Sequence, residues 1–183
     1  MSLTDDAHAL LEAHFDNKPK QIAVDATCGN GFDTEFLANL DFLKVHAFDI
    51  QEAAINTTKN RLSKHTTTSI EVHLASHATM AKFIEHHVDC FMFNFGYLPG
   101  GDKNLTTATE TTINALNVAS KLLNDDGLIS LMCYPGHPSG MLETQAIKTW
   151  LADLSDHFIV ETHLAASPKP TAPILYIVKR TKT

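Results

Sequence analysis

Short apolar runs alternate along the chain with longer stretches in which apolar residues recur three or four apart. Ile22 to Ala26, Val45 to Phe48, Ile70 to Leu74, Val88 to Phe93 and Leu128 to Cys133 are brief and bounded by turn residues. Runs of that kind predict strands buried in a sheet. Between them, Asp33 to Leu40, Gln51 to Ser63, Ser76 to Glu85 and Thr107 to Leu123 carry the helical period. Thr107-Ala108-Thr109-Glu110 has the form of a capping box for the last of these, and Ile113, Leu116, Ala119 and Leu123 supply its apolar stripe. Asn124-Asp125-Asp126-Gly127 then predicts a stop and a turn into the next strand.

A fifth helix is expected over Met141 to Leu154, with Leu142, Ile147, Trp150 and Leu151 on one side. After it the pattern changes. Phe158 to Leu164 and Ile174 to Val178 are β-rich runs joined by a proline-rich link with no helix between. Strands joined by a loop pair antiparallel, because a parallel return needs a crossover. The class is therefore α/β, with βα units followed by a sixth strand and a closing antiparallel one. Residues 1–17 are expected to form a helical extension through Leu10, Leu11 and Phe15, covering either the sheet or part of a site.

Composition narrows the picture. A chain of 183 residues with 44% hydrophobic content fits one domain with a substantial core. The formal charge of −7 excludes a protein held to nucleic acid by bulk electrostatics, so a polyanionic partner would need a local basic patch. The available clusters are Lys18 with Lys20, and Lys169, Lys179, Arg180 and Lys182. Cys28, Cys90 and Cys133 form no CxxC pair and read as buried thiols. Eleven histidines invite a metal, but HExxH and HxH are absent and His86 and His87 are adjacent, so no metal is expected. No apolar run approaches a membrane span, and the first residues do not form a secretory signal; a cytoplasmic protein is expected.

The first strand-to-helix turn carries the strongest chemical signal. Asp25, Thr27, Gly29, Asn30 and Gly31 lead into a helix at Asp33 and Thr34. Glycines here allow positive φ and close approach of a ligand to the backbone. A dinucleotide fold would place a third glycine where Thr34 stands, and an acid at Asp25 suits the amino group of a methionine moiety better than a pyrophosphate. Asp49 ends the second strand, where a carboxylate can accept both hydroxyls of a ribose, with Ile50 and Gln51 following; it can also cap the next helix. Ser76 and His77, after the third strand, stand where an adenine ring would be touched.

Two loops at the carboxyl edge would wall a second pocket. After the fourth strand come Asn94, Phe95, Gly96, Tyr97, Leu98, Pro99, Gly100, Gly101 and Asp102; after the fifth come Tyr134, Gly136 and His137. Asn94 can both donate and accept, which suits orienting an amine. Glu143 is a further wall group or a partner of the helix macrodipole.

These blocks together resemble the small bacterial methyltransferases grouped as rRNA methylases. Within that group the activity is tRNA 5-aminomethyl-2-thiouridine methyl transfer (the MnmM/YtqB-like family). The resemblance rests on Asp25 to Thr34, Phe48 to Gln51, Ser76-His77, Asn94 to Asp102 and Tyr134 to Gly140. One departure is Ser167, near the place where the family pattern carries an asparagine. The resemblance implies a Rossmann-like class I methyltransferase: a seven-stranded, mostly parallel sheet with an antiparallel last strand and helices on both faces. It further implies S-adenosylmethionine as methyl donor, S-adenosylhomocysteine as product, and the tRNA anticodon stem-loop as partner, with rRNA the alternative and a homodimer compatible.

On that reading Asn94 and Tyr97 orient the base or its amine, and Asp102 or His137 accepts the proton. Tyr97 or Phe95 stacks on a splayed-out wobble base. The competing classes are another amine or nucleobase methyltransferase, an NAD-dependent oxidoreductase and a non-catalytic nucleotide-binding module. Thr34 in place of the third glycine speaks against NAD.

Overall fold

The computed structural model describes residues 2–65, 67–96, 108–166 and 169–182. Seven strands, β1 (Ile22–Asp25), β2 (Lys44–Asp49), β3 (Ser69–Leu74), β4 (Val88–Asn94), β5 (Leu123–Cys133), β6 (Phe158–Leu164) and β7 (Ile174–Arg180), form one sheet in the order β3-β2-β1-β4-β5-β7-β6. The pairs among β1 to β5 are parallel, whereas β7 runs antiparallel to both β5 and β6. The expected closing strand therefore inserts between its two neighbours.

Helices cover both faces. On one lie α1 (Leu3–Phe15), α2 (Phe32–Asn39) and α3 (Glu52–Leu62); on the other lie α4 (Thr109–Leu122), α5 (Pro138–Ala152) and a short 3-10 helix, His77–Lys82. Leu11 and Phe15 of α1 are buried with Leu175, Ile177 and Leu128, so the extension packs over β5 and β7 as part of the core. Its start is fixed by a capping box: the Ser2 hydroxyl accepts from the Asp5 amide, and Asp5 accepts from the Ser2 amide. Cys28, Cys90 and Cys133 are all buried free thiols, as the sequence indicates.

Four local expectations are corrected. The α-helix expected over Ser76 to Glu85 is only the six-residue 3-10 segment, which Ser76 caps by accepting from the Ala78 amide. In place of a capping box at Thr107, α4 is preceded by Ala108, whose side chain cannot cap; Thr107 lies outside the described residues. Asn124 to Gly127 does not separate helix from strand. β5 begins at Leu123, and the four residues are absorbed as an irregularity, with Asp126 at φ 61° and the pairing shifted between Val88 and Cys90. In α5, Ile147 and Trp150 are buried but Leu142 is 68% exposed, because the buried stripe runs through Gly140, Glu143, Thr144, Ile147 and Trp150 and leaves Leu142 on the opposite side. Among the described residues no helix is long and apolar enough to cross a membrane.

Candidate active site

The parallel strands bring the ends of β1, β2, β3, β4 and β5 to one edge, and the site is assembled there. Asp25 closes β1 and is fully buried. Its Oδ2 accepts the Thr34 hydroxyl at 2.6 Å and its Oδ1 the Thr27 amide at 3.2 Å. Burial, reinforced by the nearby Asp33 carboxylate, pushes the Asp25 carboxyl up to about 7. Asp25 therefore lies beneath the turn as its foundation. Thr34, at the third-glycine position, is buried with its hydroxyl spent on Asp25. Asp33, largely buried, pairs with His8 of α1 at 2.8 Å, and the His8 ring stacks on Phe36 at 3.7 Å.

Above Asp25 the chain turns through Gly29 (φ 50°) and Gly31 (φ 81°). A Cβ at Gly31 would meet the Thr58 Oγ1 at 2.9 Å and its Cα at 3.0 Å, so close helix packing and left-handed backbone both demand glycine. The Asn30 carbonyl accepts from Arg61 Nε at 2.8 Å, and the Arg61 guanidinium lies over Phe32, 3.7 Å from the ring centroid.

Asp49 faces this turn from the end of β2. Its Oδ2 accepts the Gly29 amide at 3.0 Å and its Oδ1 the Gln51 amide at 2.9 Å, so the carboxylate fixes the glycine turn and the backbone of Gln51; the expected cap is not made, since α3 starts after Gln51 with no side-chain cap bond. Each oxygen keeps a further lone pair. Ile50 and Leu74, beside it, are 58% and 57% exposed. His77 is buried, its Nδ1 3.2 Å from the Ala26 carbonyl. A carbonyl only accepts, so Nδ1 carries the hydrogen and Nε2 is left a bare acceptor, without a partner among the described residues. Burial lowers the His77 pKa and keeps the ring neutral. Paired acceptor oxygens for vicinal hydroxyls and apolar plates for a flat ring together fit a nucleoside.

Asn94 ends β4, and its amide donates to the Thr27 hydroxyl at 2.7 Å, tying the fourth strand to the glycine turn. Its side chain hydrogen-bonds Tyr134, whose phenol is raised above its ordinary value by burial. Asn94 and Tyr134, drawn from the two expected walls, thus meet. Gly96 follows at φ 129°. Tyr97, Leu98, Pro99, Gly100, Gly101 and Asp102 lie outside the described residues.

Other site expectations change. Phe95 is only 2% exposed and stacks on Phe93, 5.4 Å between centroids, so it serves the core and offers no face to a base. His137 caps α5: its Nδ1 accepts the Gly140 amide at 3.0 Å and bonds the Ser139 hydroxyl at 2.9 Å. That nitrogen is committed to the helix start. Glu143 is buried and accepts the Thr112 hydroxyl at 2.5 Å, locking α4 to α5. Gly136 packs against the Thr171 carbonyl, which a Cβ would approach to 3.1 Å. The sequence reading did not single out His8 or Thr112. Neither has a local motif, since their partners lie 25 and 31 residues away.

The family model described as "Putative rRNA methylase" matches residues 45–179. A curated relative from Arabidopsis thaliana, the chloroplastic tRNA (mnm(5)s(2)U34)-methyltransferase, is 34% identical over 173 residues, covering 86% of this chain; the chain spans 62% of that relative's length. Among solved structures, an rRNA methylase from Clostridium thermocellum superposes with a TM-score of 0.91 at 34% identity, covering 98% of both chains. A methyltransferase from Streptococcus mutans, solved in complex with SAH, gives a TM-score of 0.85 at 30% identity, covering 97% of both. The sheet order and its antiparallel β7 are those of the class I methyltransferase fold. With residues 45–179, about three quarters of its length, matched by the family model, the chain belongs to the family described as "Putative rRNA methylase".

Proposed function

We propose that the chain is an S-adenosylmethionine-dependent methyltransferase acting on RNA, and that its target is the 5-aminomethyl amine of a (2-thio)uridine at the tRNA wobble position. The observation that carries the donor assignment is Asp49. Its two oxygens are aimed by the Gly29 and Gln51 amides and retain lone pairs for the two ribose hydroxyls. Ile50 and Leu74, exposed beside Asp49, offer apolar faces for the base. The substrate assignment rests on the name of the Arabidopsis relative and on the Asn94–Tyr134 pair. Bound S-adenosylmethionine supplies a sulfonium-activated methyl group.

The protein's task is then alignment of the amine with that group. An alkylamine is ordinarily protonated at neutral pH, with a pKa near ~10. Desolvation against the half-buried Tyr134 and the strand ends favours the neutral amine, whose lone pair attacks. Asn94, held at its backbone by Thr27 and at its side chain by Tyr134, orients the amine through its carboxamide. Asp102 is the carboxylate proposed to take the proton, since Nδ1 of His137 is engaged in the α5 cap. Methylation of rRNA is the second reading, carried by the family's description.

Calorimetric titration with S-adenosylmethionine tests the donor site: Asp49→Asn should weaken binding at least tenfold, and unchanged affinity would remove the ribose role. Mass spectrometry of digested tRNA and rRNA from a deletion strain tests the substrate. Accumulation of unmethylated aminomethyl-uridine in tRNA is expected, whereas a missing rRNA methyl group would establish the second reading.

A further inference from the structure

The third crossover, between β3 and β4, is a short 3-10 segment, and Phe83 after it lies against Phe48 and His73 on one face of the sheet. Residues at alternate positions on a strand share a face, so Glu71 and His73 of β3 point the same way. The register places His46 of β2 opposite Glu71 and Phe48 opposite His73. Three metal-ligating side chains thus meet across two strands at the sheet edge.

Their donor atoms are close. His46 Nδ1 lies 3.1 Å from His73 Nε2, and Glu71 Oε2 lies 3.5 Å from the first and 3.8 Å from the second. The latter two separations exceed hydrogen-bond lengths, yet they suit neighbouring ligands around one ion. A point equidistant from three atoms so spaced is about 2.0 Å from each, within the range of Zn–N and Zn–O bonds. The supports of a metal site are also present. Lys44 Nζ holds the other carboxylate oxygen of Glu71 at 2.7 Å. His73 is sandwiched by Phe48 and Phe83, each 4.6 Å between centroids, which fixes its ring. His46 is buried while Glu71 is 44% exposed at its side chain, so an ion has a way in and water a place as fourth ligand.

We propose that His46, Glu71 and His73 form a binding site for a divalent transition-metal ion of the zinc type, clamping edge strand β3 to β2. Two imidazoles and one carboxylate give three protein ligands of the hardness that Zn2+ and Co2+ accept. Binding needs no net proton release from the rings. The hydrogen between His46 and His73 moves to the other nitrogen of its own ring, and each imidazole stays neutral. The site lies on the strand ending at Asp49, but the proposal is independent of methyl transfer.

The test uses the full chain, stripped with chelator and titrated with ZnCl2 and, separately, CoCl2. One Zn2+ per chain is expected, with Co2+ giving the visible bands of a low-coordinate nitrogen–oxygen site. Zn2+ at a hundredfold excess over its Kd should raise the melting temperature by several degrees. Glu71→Gln and His73→Phe, which keep the shape and the aromatic stack, should weaken Zn2+ binding at least tenfold and abolish the thermal shift. Circular dichroism of the metal-free variants establishes that they fold, so a buried His46 variant is not needed. Absence of stoichiometric binding, or equal Zn2+ affinity in the wild type and both variants, would overturn the site and assign any uptake to scattered surface histidines.

Discussion

Replacing Asp25 by asparagine gives a sharp test of how the glycine turn is built. An aspartate at about 7 in the folded chain and 3.8 in the unfolded one holds its proton more tightly when folded. Between those values the native state binds more protons, so stability falls as pH rises and the loss is complete above pH 7. At about 1.4 kcal/mol per pH unit, the fall from below pH 3.8 to above pH 7 is roughly 4 kcal/mol. Asparagine keeps the shape and cannot ionise. Its carbonyl can accept the Thr27 amide and its NH2 can donate to the Thr34 hydroxyl, so the substitution costs about 1 kcal/mol against the protonated aspartate and adds no pH dependence of its own. The decisive quantity is the change in the difference between variant and wild type. In urea denaturation, Asp25→Asn should gain about 3 kcal/mol relative to the wild type between pH 5 and pH 8, or roughly 6–12 °C in melting temperature. A difference constant to within about 1 kcal/mol would mean that Asp25 is already ionised in the fold at pH 5, refuting the burial argument.

Two further substitutions probe the frame. Gly31→Ala should destabilise by about 2–4 kcal/mol, since left-handed strain adds to the clash with Thr58. Gly96→Ala, strained but 3.7 Å clear of Tyr134, should cost only about 1–2 kcal/mol in the same thermal melts; equal losses would contradict the packing account. Thr112→Val leaves a buried Glu143 oxygen without its hydroxyl donor and should cost about 2–3 kcal/mol by chemical denaturation, with Thr112→Ser restoring most of it. A silent Thr112→Val would show that the bond does not contribute to joining α4 and α5.

Much of this frame was legible because buried parallel strands announce themselves as apolar runs. Ile22 to Ala26 and Val88 to Phe93 fall within a residue of β1 and β4. Asp49 and the glycine turn were legible for a related reason: strand ends must carry the polar groups that the sheet excludes. What escaped was set by tertiary packing. Nothing local tells Phe95 to turn into the core rather than toward a ligand, and the buried stripe of α5 includes the polar Glu143 and Thr144 while apolar Leu142 lies on the outer side. His137 read as a pocket group, yet its ring sits three residues before the amide it caps, a role that histidine performs only in a particular rotamer. Glu71 and His73 stand two apart on one strand, but His46 joins them only through the register of β2 with β3, which no spacing along the chain reveals.

The placement of β7 governs the order of assembly. Until residues 174–180 have been synthesised, β6 has no neighbour to pair with and β5 presents a bare, strongly apolar margin. Any sheet formed before then is limited to the five parallel strands, and its completion waits for a strand that must fit between two others. Such a margin is open to edge-to-edge association with another nascent chain. During synthesis, the danger of misassembly thus spans the interval between the emergence of β5 and that of β7.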